Sequence, residues 1–307
     1  MKHVLYFLIF PGFLFTTVLG LFVSWFDRKV TARVQWRVGP PLLQPVYDIV
    51  KLLGKEIILP NEASFWTYFL LPIFGLAAAI LASTIVWLAL FLSPYGFIGD
   101  IIVIMYLLTV PAAALILASF STANPLASVG ASREMKMVLS YELPFILACL
   151  VPIIKANTIR LSALVEYQAA SGQVIGSISG TLAFIVALLC TQAKLGLVPF
   201  DAAEAETEIM GGAYIEFSGA VLAVFKLTKF IMLVAAPLFL ALLFMGSAIV
   251  DISSFIGILL KYLLVAVLIT LIRNTNPRVK IDQAMRFFWG PMSVIGIAAV
   301  VLAILGF

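Results

Sequence analysis

Between Pro199 and Gly219 the sequence reads PFDAAEAETEIMGGAYIEFSG, with Asp201, Glu204, Glu206, Glu208 and Glu216 and not one Lys or Arg. Apolar stretches of membrane-spanning length lie on both sides. Crowded carboxylates beside a low-dielectric medium repel one another, and burial disfavours their charged form. Both effects favour holding a proton at neutral pH and exchanging it. In a membrane protein such acids are expected on proton paths. A plainer role stands beside that one. Pro199 and the Asp201–Glu204 spacing match a helix-start capping pattern, and Glu204 and Glu208, at i and i+4, fit the wet face of a helix. Five acids between apolar flanks, without a compensating base, favour the ion-carrying reading.

Lys226 and Lys229 follow within the next apolar run. A cation at the centre of a membrane helix costs roughly 2.5–3.5 kcal/mol on insertion scales, so each needs a partner or water. Carboxylates from Glu142 or the acidic loop are the expected partners, which would make the lysines a switchable gate. The alternative is snorkelling to the interface, because both lie only about two to three turns from Glu216. Lys261 poses the same question. Other ligand types are scarce: His3 is the only histidine, and Cys149 and Cys190, both within apolar runs, are the only cysteines. The cysteines read as small buried hydrophobes, and an iron–sulfur cluster, which takes about four thiolates, is not supported on this chain. No cofactor or metal is expected here, so redox chemistry belongs elsewhere or to a diffusible carrier.

The elements that hold these residues are membrane helices. With 63% hydrophobic and 11% charged residues and a mean hydropathy of +1.15, the chain is an all-α polytopic membrane protein, a single transmembrane domain over 1–307. Eight helices are expected, over about 4–26, 65–92, 97–120, 137–154, 177–198, 217–244, 255–272 and 288–305. Turn signals at Ser93, Pro94, Tyr95 and Gly96 end the second, and Pro237 marks a kink in the sixth. Residues 27–64 form the longest polar connection. Within it Val46, Ile49, Val50, Leu53 and Ile57 give residues 45–58 the spacing of an amphipathic helix at the interface. No internal repeat is evident, which counts against a repeat-built transporter. The net charge of +4 reflects loop bias and not a nucleic-acid surface. Arg and Lys concentrate after helices 1, 3 and 7, which places those loops in the cytoplasm and both termini outside the cell membrane. The acidic loop falls on the cytoplasmic side with them.

Several motifs together resemble the complex I subunit 1 family. Its relatives include the membrane anchor subunits of energy-converting membrane-bound nickel-iron hydrogenases and sulfane sulfur reductases. The motifs are Asp27, Arg28, Arg33, Gln35, Arg37, Gly39 and Pro40; Lys51, Leu52, Leu53, Lys55 and Glu56; Ser140, Tyr141, Glu142 and Pro144; Pro199, Phe200, Asp201, Glu204, Ala205, Glu206 and Glu208; Glu216, Phe217, Ser218 and Gly219; and Pro277, Arg278, Asp282, Gln283, Met285 and Arg286. They occur in the family's order over most of the chain.

The resemblance implies a subunit, itself without catalysis, that seats a hydrophilic arm on the membrane. It would link ferredoxin-driven electron transfer there to proton or sodium translocation. Implied partners are membrane lipid, iron–sulfur and hydrogenase-like large subunits, and antiporter-like membrane subunits, with the iron–sulfur clusters and any nickel-iron centre on those partners. Glu142, Asp201, Glu204, Glu206, Glu208 and Glu216, with Lys226 and Lys229, would form the ion pathway. Arg28, Arg33, Arg37, Lys51, Arg133 and Arg278 would border the arm, and the arginines also serve topology. Three departures set the chain apart from quinone-reducing members. Pro41, Leu42, Leu43 and Gln44 directly follow Gly39–Pro40, Lys229 stands where those members commonly carry an acid, and Tyr214–Ile215 precede Glu216. The departures resemble the hydrogenase and sulfur-reductase branch. The alternatives are a quinone-site subunit of a complex I-like oxidoreductase and a stand-alone ion transporter.

Overall fold

The computed structural model describes residues 2–61, 63–91, 97–246 and 252–307, and side chains other than those of residues 2–4 and 206. The turn expected at 93–96 lies outside the described residues. Those described are helical, with no strand among them. In order come α1 Lys2–Leu8, α2 Phe13–Val34, α3 Gln44–Leu53, α4 Phe65–Phe91, α5 Asp100–Leu107, α6 Val110–Phe120, α7 Pro125–Ala156, α8 Leu161–Ser171, α9 Ile178–Lys194, α10 Glu206–Ile209, α11 Gly219–Met245, α12 Ile252–Thr275, α13 Ile281–Phe287 and α14 Ser293–Ile304. Seven spans are long and apolar enough to cross a membrane, and α9 is a shorter apolar helix. Together they make eight passes.

Hydrogen bonds tie the ends of these passes as eight crossings require. At one end Gln35 after α2 meets Asn274 of α12, the Val279 N–H donates to the Pro199 carbonyl, and Arg133 of α7 reaches the carbonyl of Ala202. At the other end Asp100 of α5 accepts from the Leu161 N–H, and Gln168 of α8 bonds to the end of α11. The polar connections after α2, α6, α9 and α12 therefore share one end.

α11 is the hub. From Phe230 to Phe244 nearly every side chain is buried, as expected of a helix that is apolar all round and enclosed by others. It packs on α2, α4 and α12, while α7 packs on α9 and α14.

Several expected boundaries move. Helix 1 is broken between Leu8 and Phe13, and only glycine fits at position 12, where a Cβ would sit 1.8 Å from the Phe7 carbonyl oxygen. Its second part, α2, then runs on to Val34, so Arg28 and Arg33 stand on a helix and not in a loop. The third span breaks at Leu108–Thr109, ahead of Pro111, whose ring nitrogen has no proton to give a preceding turn. The fourth starts at Pro125, not Met137: Asn124 caps it by accepting from the Leu126 N–H, with Pro125 at the first helical position. Arg133 and Lys136 thus belong to α7. The connection after α7, read as plain polar chain, holds α8. The amphipathic helix is shorter, Gln44–Leu53, and excludes Ile57. It sits on the bundle through Pro45 and Leu52, while Tyr47, Val50 and Leu53 point away, each more than half exposed.

Candidate functional site

The acidic segment lies against the bundle at the end shared by the connections after α2, α6 and α12. A Cβ at Gly130 of α7 would lie 2.4 Å from the Ala213 nitrogen, so backbone meets backbone there and only glycine fits. Ser119 of α6 donates to the Ala213 carbonyl at 2.8 Å. These contacts hold residues 212–214, a short 3-10 turn, over the interior.

The acids do not share one solvated face. Each described acid of the segment takes a separate partner, supplied by another element. Arg278, just before α13, pairs with the buried Asp201 at 2.8 Å. Arg133 pairs with the more exposed Glu208 at 2.6 Å. Lys229 of α11 pairs with Glu204 and lies 4.8 Å from the centre of the Tyr214 ring. Glu216 accepts from the Asn124 amide and lines a shallow pocket with Pro60 and Asn61, away from the others. The Glu206 side chain lies outside the described residues. The bases missing from the segment itself thus come from α7, α11 and the α12–α13 connection.

Deeper in, Lys194, with a fully buried side chain, pairs with Glu142 at 3.1 Å. Its ammonium also donates to the Thr109 hydroxyl at 3.1 Å and lies 4.7 Å from the Phe145 ring centre and 5.2 Å from that of Tyr141. Such ring faces attract a cation that has lost water. Thr109 is available because the third span breaks there, and Lys194 because α9 ends there.

Two cavities connect the pairs. The outer one, about 400 Å³, opens between α2 and α11 and is lined by Arg28, Lys226, Lys229, Glu204, Tyr214 and Phe230 among others. Lys226 is exposed to it. The inner one, about 50 Å³, is lined by Glu134, Lys194, Glu204, Tyr214 and Lys229 among others. Glu204, Lys229 and Tyr214 border both. A few waters fit the inner space, since one water needs about 10–15 Å³ and several polar partners. Burial, followed by the Glu204 and Glu134 charges, holds the Tyr214 hydroxyl well above its ordinary pKa, so it stays protonated.

At the rim Arg28 pairs with Asp48 of α3 at 2.7 Å. Burial raises the Asp48 carboxyl, but hydrogen bonds from Arg28 and Gln44 and the Arg28 and Lys226 charges outweigh it, leaving the group below its ordinary value. Asp27 sits elsewhere, held by Arg273 and Thr270 of α12. Arg33, Arg37 and Lys51 are exposed near the same end and do not line either cavity.

Glu134, Lys194 and Thr109 are functional candidates that sequence reasoning missed. Lys194 carried a signal, a lone lysine seven residues before Asp201 in an apolar run. Glu134 carried a weaker one: Asn124–Pro125 begins a helix early enough to draw it into the membrane span.

A sequence model of the family described as NADH dehydrogenase matches residues 6–304. The chain belongs to that family. It is 30% identical to the H component of the NADH-quinone oxidoreductase of Carboxydothermus hydrogenoformans over 88% of this chain and 79% of that one. It is 31% identical to the corresponding component of the Thermomicrobium roseum enzyme over 90% and 88% respectively. Its fold is similar to a chain in the structure of the membrane-bound sulfane sulfur reductase, an archaeal respiratory membrane complex. There the TM-score is 0.91 at 28% identity, with 99% of this chain and 100% of that one covered. This NADH dehydrogenase family member is thus a multi-pass membrane protein similar to components of multisubunit respiratory complexes.

Proposed function

We propose that this subunit anchors a hydrophilic electron-transfer arm to the cell membrane and couples electron flow there to translocation of protons or sodium by neighbouring antiporter-like subunits. The observation that carries the reading is the run of charged pairs from the outer cavity inward: Arg28–Asp48 at the rim, Lys229–Glu204 between the cavities, Lys194–Glu142 in the interior. The innermost of these charges, the fully buried Lys194 ammonium, costs several kcal/mol before pairing. A passive anchor would have no use for it. A charge arriving in the arm shifts the field at the outer pair, and the inner pairs rearrange in response.

The basic connections and the acidic segment share one end of the bundle, and by the distribution of Arg and Lys that end faces the cytoplasm. Arg33, Arg37 and Lys51, exposed there, would meet the arm, whose iron–sulfur and hydrogenase-like subunits carry the metals. Ferredoxin is the expected donor.

The test is the purified complex in proteoliposomes, with electron transfer and ion uptake recorded together. Replacement of Glu142 or Glu204 by Gln is expected to cut ions moved per electron at least about tenfold. Unchanged uptake in both variants would leave only the anchoring role. A second reading, quinone binding, is favoured by the outer cavity, whose volume falls in the range of small-molecule sites. Electron transfer that depends on added quinone and is lost on filling that cavity, as in L222W, would support it.

A further inference from the structure

We infer that Glu134 is the residue that takes up and releases a proton inside the inner cavity as part of this coupling. The inference deepens the coupling role proposed above and rests on it. Glu134 projects from α7, is nine-tenths buried and lines the cavity. Among the described residues its carboxylate makes no hydrogen bond or ion pair.

Charge counting around the cavity singles it out. From α11 and the acidic segment, Lys229 and Glu204 cancel. From α9 and α7, Lys194 and Glu142 cancel. Tyr214 from the 3-10 turn is neutral, and the Tyr141 phenol of α7 lies within electrostatic reach of both Glu134 and Glu142. α6 contributes only Pro111, Ala112 and Leu115. Glu134 is the one charge left over. One proton therefore neutralises the space, and a second has no acceptor without breaking a pair. An enclosed unpaired carboxylate is costly, which makes proton uptake the cheap way to balance it.

Lys229 makes the site two-way, because it lines the same cavity as Glu134 while paired to Glu204, and both lie within electrostatic reach of Glu134. A proton on the Glu134 carboxyl passes through cavity water to the Glu204 carboxylate. The O–H bond on Glu134 breaks and one on Glu204 forms. Lys229 then loses its counter-ion at Glu204 and finds one at Glu134. Total charge is unchanged: the acid Glu134 beside the Lys229–Glu204 pair becomes the acid Glu204 beside a Lys229–Glu134 pair. The lone carboxylate, within reach of a lysine, suits a proton and lacks the six or so oxygens of a hard-cation cage.

The experiment uses the whole complex in proteoliposomes. Protons taken up per electron are measured alongside redox-triggered infrared difference spectra of the protonated-carboxyl region. In E134Q the uptake ratio is expected to fall at least tenfold and one carboxyl band to vanish; in E134D the band should shift and part of the uptake return. E134Q uptake equal to wild type overturns the assignment. So does a lost uptake with every carboxyl band intact, which marks a structural role. If E134Q does not assemble, the E134D spectrum decides, and an unshifted band overturns the assignment. A wild-type complex that moves no ions defeats the coupling role itself, and this inference with it.

Discussion

Lys194 shows how one side chain can set the character of a membrane interior. Its side chain is fully buried, and Glu142, Thr109 and two aromatic faces stand in for lost bulk hydration. Removing one member of such a pair is far more costly than removing both, because the survivor is left charged and unpartnered. K194M is therefore expected to destabilise the subunit by about 3–5 kcal/mol. K194M with E142L should recover more than half of that, as read from thermal unfolding of the purified complex through a double-mutant cycle. A double variant no more stable than K194M would mean the pair carries no electrostatic coupling. At this scale the sequence was partly legible. The acids announced themselves by type and spacing, and Asp201, Glu204 and Glu208 are all engaged with bases. Their partners were hidden because Arg278, Lys229 and Arg133 lie far along the chain and meet the acids only through folding. Lys229 resolves as a partner of Glu204, whereas Lys226 is exposed at the outer cavity.

Elements decide where those residues stand. α7 presses its Gly130 against the backbone of residues 212–213, which keeps Tyr214 and Glu204 over the inner cavity. A methyl group there meets backbone that has no flexible end to yield. G130A is expected to cost about 1–3 kcal/mol and to lift the turn. The sign would be faster proteolytic cleavage within residues 203–216 at unchanged cleavage elsewhere, and equal cleavage rates would refute the contact's importance. α3 is held differently, by a partly exposed ion pair. The Asp48 carboxyl is depressed by its partners, so its stabilising effect is complete above the unfolded value of 3.8 and is lost as pH falls through the lower, folded value. With both side chains about one-third exposed, solvent screening limits the effect to under about 1 kcal/mol. Hydrogen exchange in α3, corrected for intrinsic rates, should stay flat between pH 5 and 8 and rise only below about pH 4. D48N should show the raised exchange at every pH, and indifference to D48N would sever the link between the pair and docking. The amphipathic period of α3 was visible in sequence, but which side it buries was not: Pro45 and Leu52 settle inward, and Tyr47, Val50 and Leu53 are left for lipid or a neighbour. Helix starts hidden behind Asn124–Pro125, and breaks such as that at Thr109, were lost because apolar runs mark membrane depth without marking where a backbone stops being helical.

The whole molecule has two unlike ends, and its topology follows from that asymmetry. Eight passes return the chain to the end from which it began, and the contacts between α2 and α12 and between α5 and α8 fix which connections lie together. One end gathers Arg28, Arg33, Arg37, Lys51, Arg133, Arg273 and Arg278 with the acidic segment, while the described connections at the other end hold little beyond Lys155 and Arg160. This much was readable from sequence, since hydropathy counts the passes and basic residues bias the loops. Because short basic loops resist translocation, the rich end is expected in the cytoplasm and both termini on the far side. Single cysteines in a background lacking Cys149 and Cys190 test this. A cysteine placed at Gln35 or Asn276 should be blocked by a membrane-impermeant maleimide only after cells are opened, while one at Gln173 should react in intact cells. The reverse pattern would put the acidic segment and both cavities on the outer face. An arm that receives electrons from a soluble cytoplasmic donor would then have no access to them, and the coupling role would fall with the topology.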